Sequence, residues 1–237
     1  MHFNSELSFD WLLSQDITQV KELSRAILAC HVWDVENELA PRLIRLKKEG
    51  NWDHSLRDTA RAASSLAAIG IVFPDVGKWM LSSQEEGSWN KDVYDTTYAL
   101  IALADMGIRN VEGCSWLIDN YGPSWEYPGT TSLVLQSLLL QGKLGVTEVP
   151  DENEFIHDRA KWLLSRRSPE GDWETIATSN LVMQALILAG YGRKLDASKQ
   201  RLLSLMNNNG SWGKNAGDVT ATSLSLITLG YFTHMSI

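Results

Sequence analysis

The chain is 237 residues long, enough to bury a sizeable core in one large domain or two small ones. Hydrophobic residues make up 44% and charged residues 21%, and a formal net charge of −8 excludes a non-specific nucleic-acid binder, because phosphate backbones demand a basic surface. Two cysteines, Cys30 and Cys114, exclude a disulfide framework and fit a reducing compartment.

Residues 1–6 lack the basic start and long apolar stretch of a signal peptide, and no apolar run approaches the ~18 residues of a membrane span. The expectation is a soluble, cytoplasmic protein without a transmembrane segment. Residues 9–15 predict a short helix. Residues 17–33, with Val20, Leu23, Ile27 and Leu28 at helical spacing, predict its partner. From about residue 35 a repeat takes over. Ten tryptophans are present, and five share one setting: Gly50-Asn51-Trp52, Gly87-Ser88-Trp89, Pro123-Ser124-Trp125, Gly171-Asp172-Trp173 and Gly210-Ser211-Trp212. Each is followed after 17 or 18 residues by a glycine (Gly70, Gly107, Gly142, Gly190, Gly230), with a leucine four places before it (Leu66, Leu103, Leu138, Leu186, Leu226). A period of 36 to 48 residues from Trp to Trp suits a helical-pair repeat.

Each unit reads as two helices. The stretch after the Trp opens on a capping residue (Asp58-Thr59, Asp95-Thr96, Thr130-Thr131, Thr178-Ser179 or Asp218), is apolar nearly all round, and stops at the glycine as its C′ residue. The stretch before the Trp is one-faced, as in Lys78-Trp79-Met80-Leu81 and Lys161-Trp162-Leu163-Leu164. Alternation of the two kinds implies an inner and an outer layer. With the first pair there are six, at roughly 1–34, 35–70, 71–107, 108–142, 143–190 and 191–237. Six pairs can close into a ring. The expected fold is all-α, a single (α/α)6 toroid.

The segment Lys78-Trp79-Met80-Leu81-Ser82-Ser83-Gln84-Glu85-Glu86-Gly87-Ser88-Trp89 resembles the QW repeat of squalene and oxidosqualene cyclases. The other copies keep the Trp but place Lys47 or Lys48, Arg167 and Asn207 near the glutamine. The likeness spans nearly the whole chain, most weakly residues 1–34, and extends to the protein prenyltransferase β subunits built on the same ring. It implies that the glutamine packs on the Trp to tie an outer helix to the next inner one. It also implies a central cavity for an isoprenoid or similar apolar substrate. The five repeated tryptophans themselves read as packing at a helix corner, not as ligand contacts.

Lys91-Asp92-Val93-Tyr94-Asp95-Thr96-Thr97 is similar to the Asp-x-Asp-Asp-Thr motif of the protonating terpene cyclases. On that motif Asp92 matches the first Asp, Asp95 the last and Thr96 the Thr. The middle Asp, which the family uses to protonate an alkene or epoxide, is Tyr94 here. A phenol with a pKa of about 10 is a far poorer donor than a carboxylic acid. Asp92 and Asp95 are then the catalytic candidates. Carboxylates at i and i+3 share a helix face and repel, which raises one pKa, whereas a helix N-terminus lowers both. Asp95-Thr96 also fits a plain N-cap.

Inner helices that run the same way bring their N-termini to one mouth, which attracts an anion such as an isoprenoid diphosphate. Tyr94, Tyr98, Asp58, Arg61 and Lys91 are the substrate-binding candidates around it, or else solvated loop and cap residues. No metal and no cofactor is expected. Cys114 and His157 fall on outer helices, Cys30 and His31 are adjacent, and residues 151–154 read as an acidic linker. Three function classes remain: a cyclase-like enzyme, a non-catalytic toroid that binds an isoprenoid or a partner protein, and a carbohydrate-active (α/α)6 enzyme. The last needs two carboxylates about 5–10 Å apart. Inner stretches rich in Ala, Leu, Ile and Val favour an apolar ligand.

Overall fold

The computed structural model describes residues 3–146 and 152–234, and among these the protein is all-helical, with only two isolated β-bridges. Six helices precede the corners or open the chain: α1 (Ser5–Leu13), α3 (Leu39–Arg45), α5 (Pro74–Ser82), α7 (Val111–Asp119), α9 (Glu152–Ser165) and α11 (Asp196–Ser204). Alternating with them are α2 (Val20–Val32), α4 (Leu56–Ala68), α6 (Val93–Asp105), α8 (Pro128–Lys143), α10 (Ile176–Leu188) and α12 (Val219–His234). The even helices hold the interior. The small or apolar side chains of α6, α8, α10 and α12 are buried almost all round, and Leu66, Leu103, Leu138, Leu186 and Leu226 are fully enclosed. The odd helices bury one stripe each, such as Val76, Gly77 and Met80 of α5.

Each even helix packs against the next, α2 on α4, α4 on α6, α6 on α8, α8 on α10 and α10 on α12, and α12 packs back on α2. Neighbours run the same way: Arg57 in the first turn of α4 meets Asp92 and Asp95 at the start of α6, and Tyr94 there bonds Thr130 in the first turn of α8. Where α12 meets α2, the Trp33 indole N–H donates to the Leu226 carbonyl at 2.7 Å.

Four corners are built identically. Trp52, Trp89, Trp173 and Trp212 are fully buried, and each donates its indole N–H to a carbonyl in the last turns of the preceding odd helix: Leu43, Met80, Leu163 and Leu202, at 2.8–2.9 Å. Their backbone N–H groups donate to Thr59, Thr96, Ser179 and Thr222, hydroxyls in the first turn of the following even helix, at 2.9–3.1 Å. One aromatic thus ties both helices of a pair. Trp125 departs from the pattern. It is half-buried in a 3₁₀ turn, Pro123–Trp125, and packs on Trp116 and Tyr121. The other corners place a glycine with φ between +80° and +101° two residues before the Trp (Gly50, Gly87, Gly171, Gly210). Pro123, whose ring fixes φ at about −65°, cannot adopt that turn.

The same glycines make the contact to the next pair. A side chain at Gly50 would meet the Asp75 carbonyl of α5, one at Gly87 the Glu112 carbonyl of α7, one at Gly171 the Ala197 backbone of α11, and one at Gly210 the Leu7–Ser8 backbone of α1. Residues at or beside the position of Gln84 in each copy reinforce these joints: Lys47 pairs with Asp75, Gln84 exchanges hydrogen bonds with Asn110, and Arg167 donates to the Lys194 carbonyl. Gln84 therefore reaches the N-cap of α7 in the following pair, where the resemblance implies a contact with its own Trp.

Two local expectations are corrected. The N-caps of α4, α6 and α10 are Ser55, Asp92 and Thr175, three residues before Asp58, Asp95 and Thr178, because the Thr or Ser after those positions is drawn to the corner Trp. Asp218 does cap α12, accepting from the Ala221 N–H at 2.7 Å. Gly142 and Gly230 do not end their helices. α8 runs past Gly142 to a left-handed Gly145 (φ +80°), and Gly230 lies inside α12 where Val32 and Trp33 leave no room for a side chain.

Candidate functional site

A cavity of about 110 Å³ lies among the even helices, with wall residues from all six. Helical spacing makes this so: Ser24, Arg25 and Leu28 of α2, Arg61, Ser64 and Ser65 of α4, and Tyr98 and Ile101 of α6 recur at three- or four-residue steps along one face. The opposite wall is Leu133 and Gln136 of α8, Leu181 and Gln184 of α10, and Leu224 and Ile227 of α12. Gln136 and Gln184 are turned to protein partners, the Leu181 carbonyl at 3.0 Å and the Thr228 hydroxyl at 2.9 Å. The remaining polar groups of the wall gather on α2, α4 and α6.

Arg25, Arg61 and Tyr98 form that polar side. The Arg61 guanidinium stacks over the Tyr98 ring, 4.3 Å from its centroid, and pairs with Asp58 at 3.0 Å. Burial holds Arg25 below its ordinary pKa, opposed by Tyr98 and assisted by the charge of Arg61. Burial alone would raise the Tyr98 phenol, but the charge of Arg61 and its hydrogen bond to the phenol, with the charges of Arg25 and Lys21, outweigh it and the phenol sits below its ordinary value. The potential on this side is therefore positive. Nη1 of Arg25 and Nε of Arg61 are buried with no hydrogen-bond partner among the described residues. A buried donor left unmet costs about 1–3 kcal/mol, more when charged, so these two nitrogens call for an acceptor.

The catalytic candidates stand elsewhere. Asp92 and Asp95 are held on one guanidinium, that of Arg57, with Asp92 at 2.9 Å from it. Asp92 also caps α6, and Asp95 accepts from the Asn90 amide at 2.7 Å. Burial works against the Arg57 charge, yet its bonds to Asp95 and Asp92 hold it above its ordinary value. Neither carboxylate lines the cavity. Of the substrate-binding candidates, Tyr98 and Arg61 do, and Asp58 reaches it through Arg61. Tyr94 is 39% exposed with its hydroxyl on Thr130, and Lys91 is exposed and paired with Glu86. No carboxylate belongs to the wall; Asp105, exposed one turn further along α6, accepts the Ser64 hydroxyl.

Arg25 is the residue that sequence reasoning passed over. Arg25 stands directly before the apolar run Ala26-Ile27-Leu28-Ala29, and Gln184 between Met183 and Ala185; a polar residue set into an apolar stretch of an enclosed helix is a signal of a polar cavity wall.

Among the described residues no group of three or more His, Cys, Asp or Glu is placed to hold a metal. Both cysteines are buried, and burial pushes each thiol up to about 12. His157 bonds the Tyr191 hydroxyl at 2.6 Å. Residues 152–154, expected in an acidic linker, open α9, where acids suit the helix N-terminus; Asp151 lies outside the described residues. No described helix is long and apolar enough to cross a membrane. No protein-family model and no curated protein sequence matches this chain.

Proposed function

We propose that the chain is an (α/α)6 toroid of the terpenoid-cyclase and prenyltransferase-β type that binds a small, largely apolar molecule in its lumen. The observation that carries the reading is the central cavity, to which all six even helices contribute and whose far wall is Leu133, Leu181, Leu224 and Ile227. The unbroken circuit of even-helix contacts, with α12 against α2, supports the closed ring. An apolar cavity of 150 Å³ accommodates benzene, so about 110 Å³ suits roughly five or six carbons, an isoprene-sized body. Binding without chemistry is favoured because both motif carboxylates are engaged by Arg57 and none faces the ligand.

The test is titration with 3-methylbutan-1-ol, followed by NMR of the Leu133 and Ile227 methyl groups and by thermal shift. The alcohol should move these resonances, and Leu181→Trp should abolish the effect by filling the cavity. A wild type that leaves them unmoved overturns the reading. The second reading, acid-initiated cyclisation, rests on Asp92 and Asp95 standing together at the N-terminal end of α6. Turnover of a geranylgeranyl or squalene-type substrate by the wild type would establish it over simple binding.

A further inference from the structure

We propose that the lumen recognises a small carboxylate with a compact, branched or cyclic apolar body, the acid group held by Arg25 and Arg61. The inference rests on the lumen being a binding cavity, as proposed above, and adds the chemical class of its ligand. Three observations carry it.

First, Nη1 of Arg25 and Nε of Arg61 are buried donors without a partner among the described residues, on side chains of one cavity wall. Second, that wall holds two guanidiniums and no carboxylate, while Asp58 engages Nη1 of Arg61 and leaves its Nε free. An anion would meet positive potential there, the same potential that holds the Tyr98 phenol down. Third, the wall opposite presents Leu133, Leu181, Leu224 and Ile227, with Gln136 and Gln184 engaged by protein partners, so a molecule that reaches both arginines places most of its remainder against hydrocarbon.

The number and kind of donors also favour carboxylate over phosphate. Two unmet N–H donors match the two oxygens of a carboxylate, and guanidinium groups suit its planar form. A phosphate has further oxygens to satisfy, and the wall contributes no lysine for them, while the hydroxyls of Ser24, Ser64 and Ser65 already donate to Val20, Asp105 and Ala62. The cavity of about 110 Å³ matches five-carbon isovalerate, and benzoate, with seven carbons, probes its upper size limit.

The experiment is isothermal titration of the full chain with isovalerate and benzoate, beside the matching amides, 3-methylbutan-1-ol and inorganic phosphate, with the methyl-group NMR as a site-specific readout. The acids should bind at least tenfold more tightly than their amides. Arg25→Met and Arg61→Met should each weaken the acids on the order of ten- to a hundredfold and bring the acid-to-amide affinity ratio close to one. Phosphate should not displace isovalerate. Equal affinity for acid and amide, or an Arg25→Met protein that still prefers the acid, overturns carboxylate recognition and leaves the apolar cavity standing. Displacement by phosphate at matched concentration also overturns it, since charge alone would then suffice. Failure of every organic probe, the alcohol included, strikes at the cavity reading instead. If Arg25→Met does not fold, Arg25→Gln with its amide-to-acid ratio decides the matter.

Discussion

At Asp172, in the corner before Trp173, the carboxylate accepts from the Ser168 hydroxyl and from Nε of Arg201 at 2.7 Å, and it sits with 26% of its side chain exposed. Ser168 first, then Arg201, holds it below the usual 3.8. A carboxyl with a depressed folded pKa adds stability above its unfolded value and loses it as pH falls through the folded one. Because the pair is partly solvated, Asp172→Asn should cost only about 0.5–1 kcal/mol at pH 7. In melting temperature that is about 2 °C for a chain of this size. The difference from wild type should shrink once pH drops below 3.8 and vanish further down. A deficit that persists unchanged into acid would assign the loss to packing instead. Residue identity also decided the caps: Asp95 reads as an N-cap because Asp-Thr is a common cap pair, yet Thr96 is taken by the Trp89 N–H and Asp92 caps. That competition is between a local and a cross-corner hydrogen bond, and only one of them is visible in local sequence.

Among the elements, the corner is the unit of construction. Trp89 fills a fully buried pocket and satisfies the Met80 carbonyl at 2.8 Å. Trp89→Phe removes one hydrogen bond, leaving the Met80 carbonyl with the Ser83 N–H and hydroxyl as donors, and opens a small void, a loss of about 2 kcal/mol. Trp125 is half-buried against Trp116 and Tyr121. Trp125→Phe should cost less than about 1 kcal/mol. Chemical denaturation of the two variants measures the contrast, and equal losses would sink the distinction between the corners. The repeat was legible because a buried corner that recurs must recur at a fixed spacing. The exception was legible too, in Pro123 where the other copies have glycine, since a residue with fixed negative φ cannot make a left-handed turn. The fate of the glycines was not. Gly107 and Gly190 end helices in open space with φ near +80°, whereas Gly142 and Gly230 share their spacing and lie within helices.

For the whole molecule, the contact between α12 and α2 joins the last helix pair to the first. Gly230 makes that contact close: a methyl group there would press on Val32 and Trp33. In an exposed helix interior Gly→Ala gains about 1 kcal/mol. Gly230→Ala should instead destabilise by about 1–3 kcal/mol through overpacking. Its urea midpoint should fall. A rise in the midpoint would mean that α12 does not pack on α2.

The order of helices, the corner tryptophans and the alternation of enclosed and one-faced helices all follow from the sequence, because each is set by spacing along the chain: a period, a cap, an apolar stripe. Tyr98 and Arg61 were within reach for the same reason, standing near the start of an inner helix. What lines the cavity was decided only by the tertiary structure. Whether Arg25 faces a cavity or solvent depends on where α4 and α6 sit around α2, and whether Asp92 and Asp95 are free depends on Arg57 arriving from the neighbouring helix. Those are contacts between residues some 35 or more positions apart, made by side-chain direction and charge pairing across helices, and no local pattern in the chain encodes them.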